Sequence, residues 1–166
     1  MSTGAEFAGH RPHGDDARPD ERFVRILFVE HFAPLADEIH QTLGRAERAS
    51  FEIVRQSCVV EAAAQICGEE FDLLLLDPEL PTIARSAAIE LATELAHRLP
   101  VVVLVGTEHL DAEDGLDVRK RLRRGIEHAD VAGKLLSAIR RSRRLGTGVM
   151  APVFCRLEML ESSPAV

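Results

Sequence analysis

An aspartate closes an unbroken run of four leucines, Leu73–Leu76. Asp77 is followed by Pro78, Glu79, Leu80 and Pro81, which is turn chemistry. An apolar run of strand length that ends in a turn reads as a strand buried on both faces. A carboxylate at the carboxyl end of such a strand stands where open α/β sheets bind ligands and do chemistry. Alone, Asp77 reads equally well as the cap of a following helix or the start of a turn. A second polar pair, Glu30-His31, ends another β-rich run, Val24–Val29. If the strands carrying these groups are neighbours, Glu30, His31 and Asp77 converge. Grouped oxygens suit a hard divalent cation such as Mg²⁺. A metal beside an Asp, with a turn and a cation across the pocket, supports phosphoryl transfer onto that Asp. Taken singly, Glu30 and His31 are the ordinary polar end of a strand.

The elements that must position these groups follow from periodicity. Leu35, Ile39 and Leu43 are spaced four apart on one helical face, with Pro34 suited to the first turn and Gly44 as a stop. Phe51–Val54 reads as a short strand, and Val59–Ile66 as a helix that Gly68 ends. Ser86–Arg98 is a third helix, and the wholly apolar Val101–Val105 a further strand. After Gly106 the pattern weakens. Asp111 to Gly115 is short and acidic, and Arg119, Lys120, Arg121, Arg123 and Arg124 surround a single apolar Leu122. Asp130 suits the cap of a last helix with Val131, Leu135, Leu136 and Ile139 on its face and arginines at its end. Strands alternating with helices at short spacing predict an α/β fold, a doubly wound parallel sheet with helices on both faces.

The 166 residues suffice for one domain with a full core. Residues 1–22 carry no apolar periodicity and are expected to be a disordered leader, His10 and His13 included. The domain is expected at 23–145. A tail follows at 146–166, whose centre, Val149 to Leu160, is apolar enough to dock on its own domain or on a second copy. The net charge of −7 and the lack of Trp and Tyr argue against nucleic acid as partner. The three cysteines, Cys58, Cys67 and Cys155, form no CxxC pair, and no apolar stretch approaches the ~20 residues of a membrane span. A reducing cytoplasm and a bacterial source are the expectation. There is no glycine-rich loop after the first strand, no GK[ST] and no G-x-S-x-G, so dinucleotide, P-loop and acyl-transfer chemistry are set aside.

From about Phe23 to Arg144 the chain resembles the receiver domain of two-component response regulators. Phe71-Asp72-Leu73-Leu74-Leu75-Leu76-Asp77-Pro78-Glu79-Leu80-Pro81 is similar to that family's strand, phosphoacceptor Asp and Leu-Pro turn. Val29–Pro34 resembles its acidic pair and helix entry, and Pro100–Gly106 its fourth strand. The resemblance implies a five-stranded flavodoxin-like sheet. It implies Asp77 as phosphoacceptor, a histidine kinase or phosphotransfer protein as donor, and Mg²⁺ held by Glu30, His31, Asp77 and the backbone carbonyl of Glu79.

Three positions depart from that pattern. His31 replaces a metal-binding acid, and neutral imidazole is a poor Mg²⁺ ligand, so metal affinity should be weak or lost. Val105 stands where a Ser or Thr hydroxyl is expected, with Thr107 two residues on. No Lys follows a clear fifth strand; Arg124 is the best alignment and Lys120 the second. The fourth helix is expected to be shortened or missing. The leading expectation is a stand-alone atypical receiver that signals to a downstream protein by contact, without enzymatic turnover. The alternative is a phosphorylation-independent module for interaction or dimerisation. A small Mg²⁺-dependent phosphatase, with Asp77 as nucleophile and Glu79 as general acid, is a third reading.

Overall fold

The computed structural model describes residues 23–47, 49–108, 110, 115–146 and 151–158. The proposed leader and its histidines, Asp111 to Asp114, Val149-Met150, Met159-Leu160 and the last residues lie outside this set. Five parallel strands form one sheet: β1 (Phe23–Val29), β2 (Ser50–Gln56), β3 (Leu73–Leu76), β4 (Val101–Val105) and β5 (Val153–Arg156). Their spatial order is β2-β1-β3-β4-β5. The helices are α1 (Ala33–Gly44), α2 (Val59–Gly68), α3 (Arg85–Leu95), α4 (Gly115–His128) and α5 (Val131–Leu145). No helix among the described residues is long and apolar enough to cross a membrane.

Alternation along the central strands explains the two cores. Ile26, Phe28, Leu73 and Leu75 face the layer that holds α1, α4 and α5. Leu27, Val29, Leu74 and Leu76 face α2 and α3. Both faces are covered, which is why these strands read as continuous apolar runs. Pro34 sits in the first turn of α1, where its missing N–H has no partner to lose.

The fourth helix is present in full, which corrects the expectation of a short or missing one. Val118, Leu122 and Ile126 recur every four residues, and all are buried. This stripe is only one residue wide, and the arginines around it hid it in the sequence. Those arginines hold α4 to α1: Arg123 Nε lies 3.3 Å from Glu38 Oε2, and Arg119 Nη2 lies 3.5 Å from Asp37 Oδ2. Asp130, in the left-handed region at φ 44°, caps α5 by accepting from Gly133 N at 3.1 Å. A Cβ at Gly133 would stand 2.2 Å from Asp130 Oδ2, so the cap requires glycine.

The expected tail is not a tail throughout. Val153–Arg156 pairs with β4 as the fifth strand, with Cys155 fully buried, so the domain runs past residue 145. The stretch that carries Lys120 and Arg124 is helical rather than the end of a fifth strand. The connection into β5 is also unusual. β3–α3–β4 and β4–α4–α5–β5 advance in the same direction along the sheet, yet α3 lies on one face and α4 and α5 on the other. The last connection therefore has the opposite hand to the earlier ones, against a strong general preference. Leu122→Ala is expected to cost about 2–5 kcal/mol of unfolding free energy by urea denaturation, as a fully buried leucine between α4 and α1 should. A loss below about 1 kcal/mol would contradict this placement of α4.

Candidate functional site

The carboxyl ends of β1, β3 and β4 meet at a hollow of about 300 Å³ lined by His31, Asp77, Glu79, Thr107 and Glu108 among others. Backbone pairing fixes its floor. Asp77 N donates to Val29 O at 2.9 Å, extending the β1–β3 ladder by one residue. Asp77 is therefore held beside the end of β1 and is 1% exposed. Its Oδ1 accepts from Thr107 Oγ1 at 2.7 Å and from Glu79 N at 3.0 Å.

Thr107, two residues beyond the expected hydroxyl position, is the residue that supplies the hydroxyl. Val105 ends β4, and Gly106 then turns the chain at φ 95°. A Cβ at Gly106 would stand 2.6 Å from Leu157 O, so no other residue fits this turn without displacement. The turn delivers the buried Thr107 hydroxyl to Asp77, with no slip in the register of β4. The Gly-Thr pair at the strand end was the available signal.

Glu30 is also buried, at 3% exposure, but its charge is met elsewhere. Arg55, at the end of β2, donates to Glu30 Oε1 through Nε at 2.8 Å and also through Nη2. Glu30 Oε2 is buried without a hydrogen-bond partner. Glu79 is drawn to the rim by Arg85, whose Nη1 lies 3.0 Å from Glu79 Oε1 and 3.9 Å from Glu108 Oε2.

The expected site residues thus separate. His31, Asp77 and Glu79 share the hollow, while Glu30 is not among the residues lining it. Arg124 and Lys120 are not strand-end residues. Both are exposed on α4, and neither lines the hollow, which corrects Arg124 as the cation of the site. Among the described residues, no three of His, Cys, Asp and Glu are grouped to hold a metal ion. The donor set does not fit Mg²⁺: Glu30 is ion-paired to Arg55, and His31 beside it offers an imidazole, a poor ligand for a hard cation.

Burial raises the carboxyl of Asp77 above its usual range. The Thr107 and Glu79 hydrogen bonds and the nearby His31 oppose that rise, and Glu79 adds to it. The folded state therefore keeps the Asp77 proton to higher pH than the unfolded chain does. Between the usual carboxylate pKa of about 3.9 and the raised folded value, stability falls as pH rises, and above both the penalty stays. Asp77→Asn keeps an acceptor oxygen and removes the charge. It is expected to raise the urea midpoint at pH 7, with the gain shrinking towards pH 4. An unchanged or lowered midpoint at pH 7 would contradict the burial argument.

The chain matches no protein-family model and no curated protein sequence. Among solved structures it is similar to one chain of the crystal structure of the histidine kinase ThkA in complex with the response regulator protein TrrA. The identity is 20%, the match covers 57% of this chain and 79% of that one, and the TM-score is 0.40.

Proposed function

We propose that this chain is a receiver-type signalling module that works by protein contact, without metal-dependent phosphorylation of Asp77. The strand order and the Asp at the end of β3, with a hydroxyl donor from the end of β4, support the receiver class. The observation that carries the phosphorylation-independent reading is the Arg55 guanidinium on Glu30. It supplies, from within the chain, the positive charge that a divalent cation would bring to a buried acid. The Thr107 hydroxyl meanwhile fills a lone pair of the Asp77 carboxylate. With Glu30 already paired to Arg55, the hollow is left without the adjacent pair of free acids that would draw a divalent cation to Asp77.

A second reading is favoured by the hollow itself, which reaches Asp77 from solvent beside Thr107 and His31. In that reading Asp77 accepts phosphoryl from a histidine kinase or phosphotransfer protein, and the new charge shifts contacts made by the surrounding loops. Incubation with acetyl phosphate, with and without Mg²⁺, followed by phosphate-affinity electrophoresis separates the two. No Mg²⁺-dependent labelling of the native chain is expected. Labelling that Asp77→Asn abolishes would overturn the first reading in favour of the second. The double variant His31→Asp, Arg55→Ala restores an acid pair and removes the internal cation. Isothermal titration should show that it binds Mg²⁺ at least about tenfold more tightly than the native chain, equivalent to about 1.4 kcal/mol. Equal weak binding by both would mean that Arg55 is not what displaces the metal.

A further inference from the structure

β5 is the outer strand of the sheet and pairs with β4 on one side only. Long exposed edges invite pairing, and proteins commonly blunt them with charge, proline or a covering segment. Among the described residues, none pairs with the outer edge of β5. Leu157 N donates inward to Val105 O at 2.8 Å, so by alternation the backbone groups of Phe154 and Arg156 point outward. The side chains of Phe154 and Arg156 share the face opposite α4 and α5, because Cys155 between them is buried in the α1-side core. Both helices of the last connection lie on that other face, and Phe154 is left 54% exposed.

We propose that this edge receives a second copy of the chain, antiparallel, about a two-fold axis passing beside Cys155. The register follows from the backbone together with the side chains it brings opposite one another. A two-fold at Cys155 sets Phe154 opposite Arg156 of the partner subunit, and Arg156 opposite Phe154 of the partner subunit. All four residues point their N–H and C=O groups outward, so each pair exchanges both of its bonds. A two-fold at Phe154 would instead set Arg156 opposite Pro152, which has no N–H to give, and a two-fold at Arg156 would set two guanidinium groups opposite each other. The Cys155 register also places a guanidinium against an aromatic ring on the uncovered face, twice over, so the surface is complementary to itself. The sheet becomes continuous across both copies. The pairing goes beyond the proposed function and does not depend on the state of Asp77.

Sedimentation equilibrium of the full chain tests this. The native chain should be a dimer at high micromolar concentration. Phe154→Arg should be a monomer, since it sets two arginines opposite each other, and Phe154→Ser should weaken the dimer at least tenfold. The swap Phe154→Arg with Arg156→Phe restores the pair and should restore the dimer. Val60→Arg, which alters an exposed apolar residue on α2, should leave it intact. Far-UV circular dichroism confirms the fold of each variant. A monomeric native chain, or a dimer indifferent to both Phe154 substitutions, would overturn the proposal. A swap variant that stays monomeric would overturn the pairing about Cys155.

Discussion

Two carboxylates lie buried side by side in sequence logic but not in charge environment. Glu30 ends β1, Asp77 ends β3, and each is almost wholly removed from water. An unpaired buried charge is costly, so each must find a partner or give up its charge. Glu30 takes a guanidinium from β2, an ion pair whose outer member stays half in water. Asp77 receives only neutral donors, a hydroxyl and a backbone N–H, and its carboxyl is raised. The carboxyl edge of the sheet is organised around this division. It gives Glu30 a cationic partner outside the hollow and leaves Asp77 on the floor of the hollow with neutral hydrogen-bond donors.

The path of the chain after β4 follows a second constraint. Leu122 and Ile126 of α4, and Leu135 and Ile139 of α5, bury themselves on the α1 side. Both helices are therefore committed to one face before the chain returns as β5. The ion pairs from Arg119 and Arg123 to α1 reinforce that commitment, the exposed Arg119–Asp37 pair contributing little and the Arg123 pair meeting the buried Glu38. The result is a last connection of unusual hand and a sheet edge whose other face carries Phe154 in the open. The loops after β3 and β4 both line the hollow. Arg85 already bridges those loops through Glu79 and Glu108.

The central strands and their order were legible because burial on both faces writes continuous apolar runs. Asp77 stood out for the same reason, as a lone charge ending such a run. α4 was illegible because one stripe of Val118, Leu122 and Ile126 carries its burial while five cations dominate its composition. β5 was illegible because half of a four-residue edge strand is exposed, so Val153–Arg156 has the polarity of a tail. Thr107 was visible as a nearby hydroxyl but two residues out of place, because the left-handed turn at Gly106 that brings it to Asp77 does not show in a register count along β4. Arg55 was missed because nothing in a single strand tells which neighbour's carboxylate its side chain will meet across the sheet.

Asp77 is held by neutral donors, and the acid beside it in the sheet, Glu30, is already paired with Arg55. Carbon-detected NMR of the Asp77 carboxyl, titrated over pH with and without Mg²⁺, reads this at the atom concerned. The expected result is a carboxyl that titrates above the usual aspartate range, on the same curve whether or not Mg²⁺ is present. An Asp77 that titrates at or below the usual range, or whose curve moves down when Mg²⁺ is added, would contradict it.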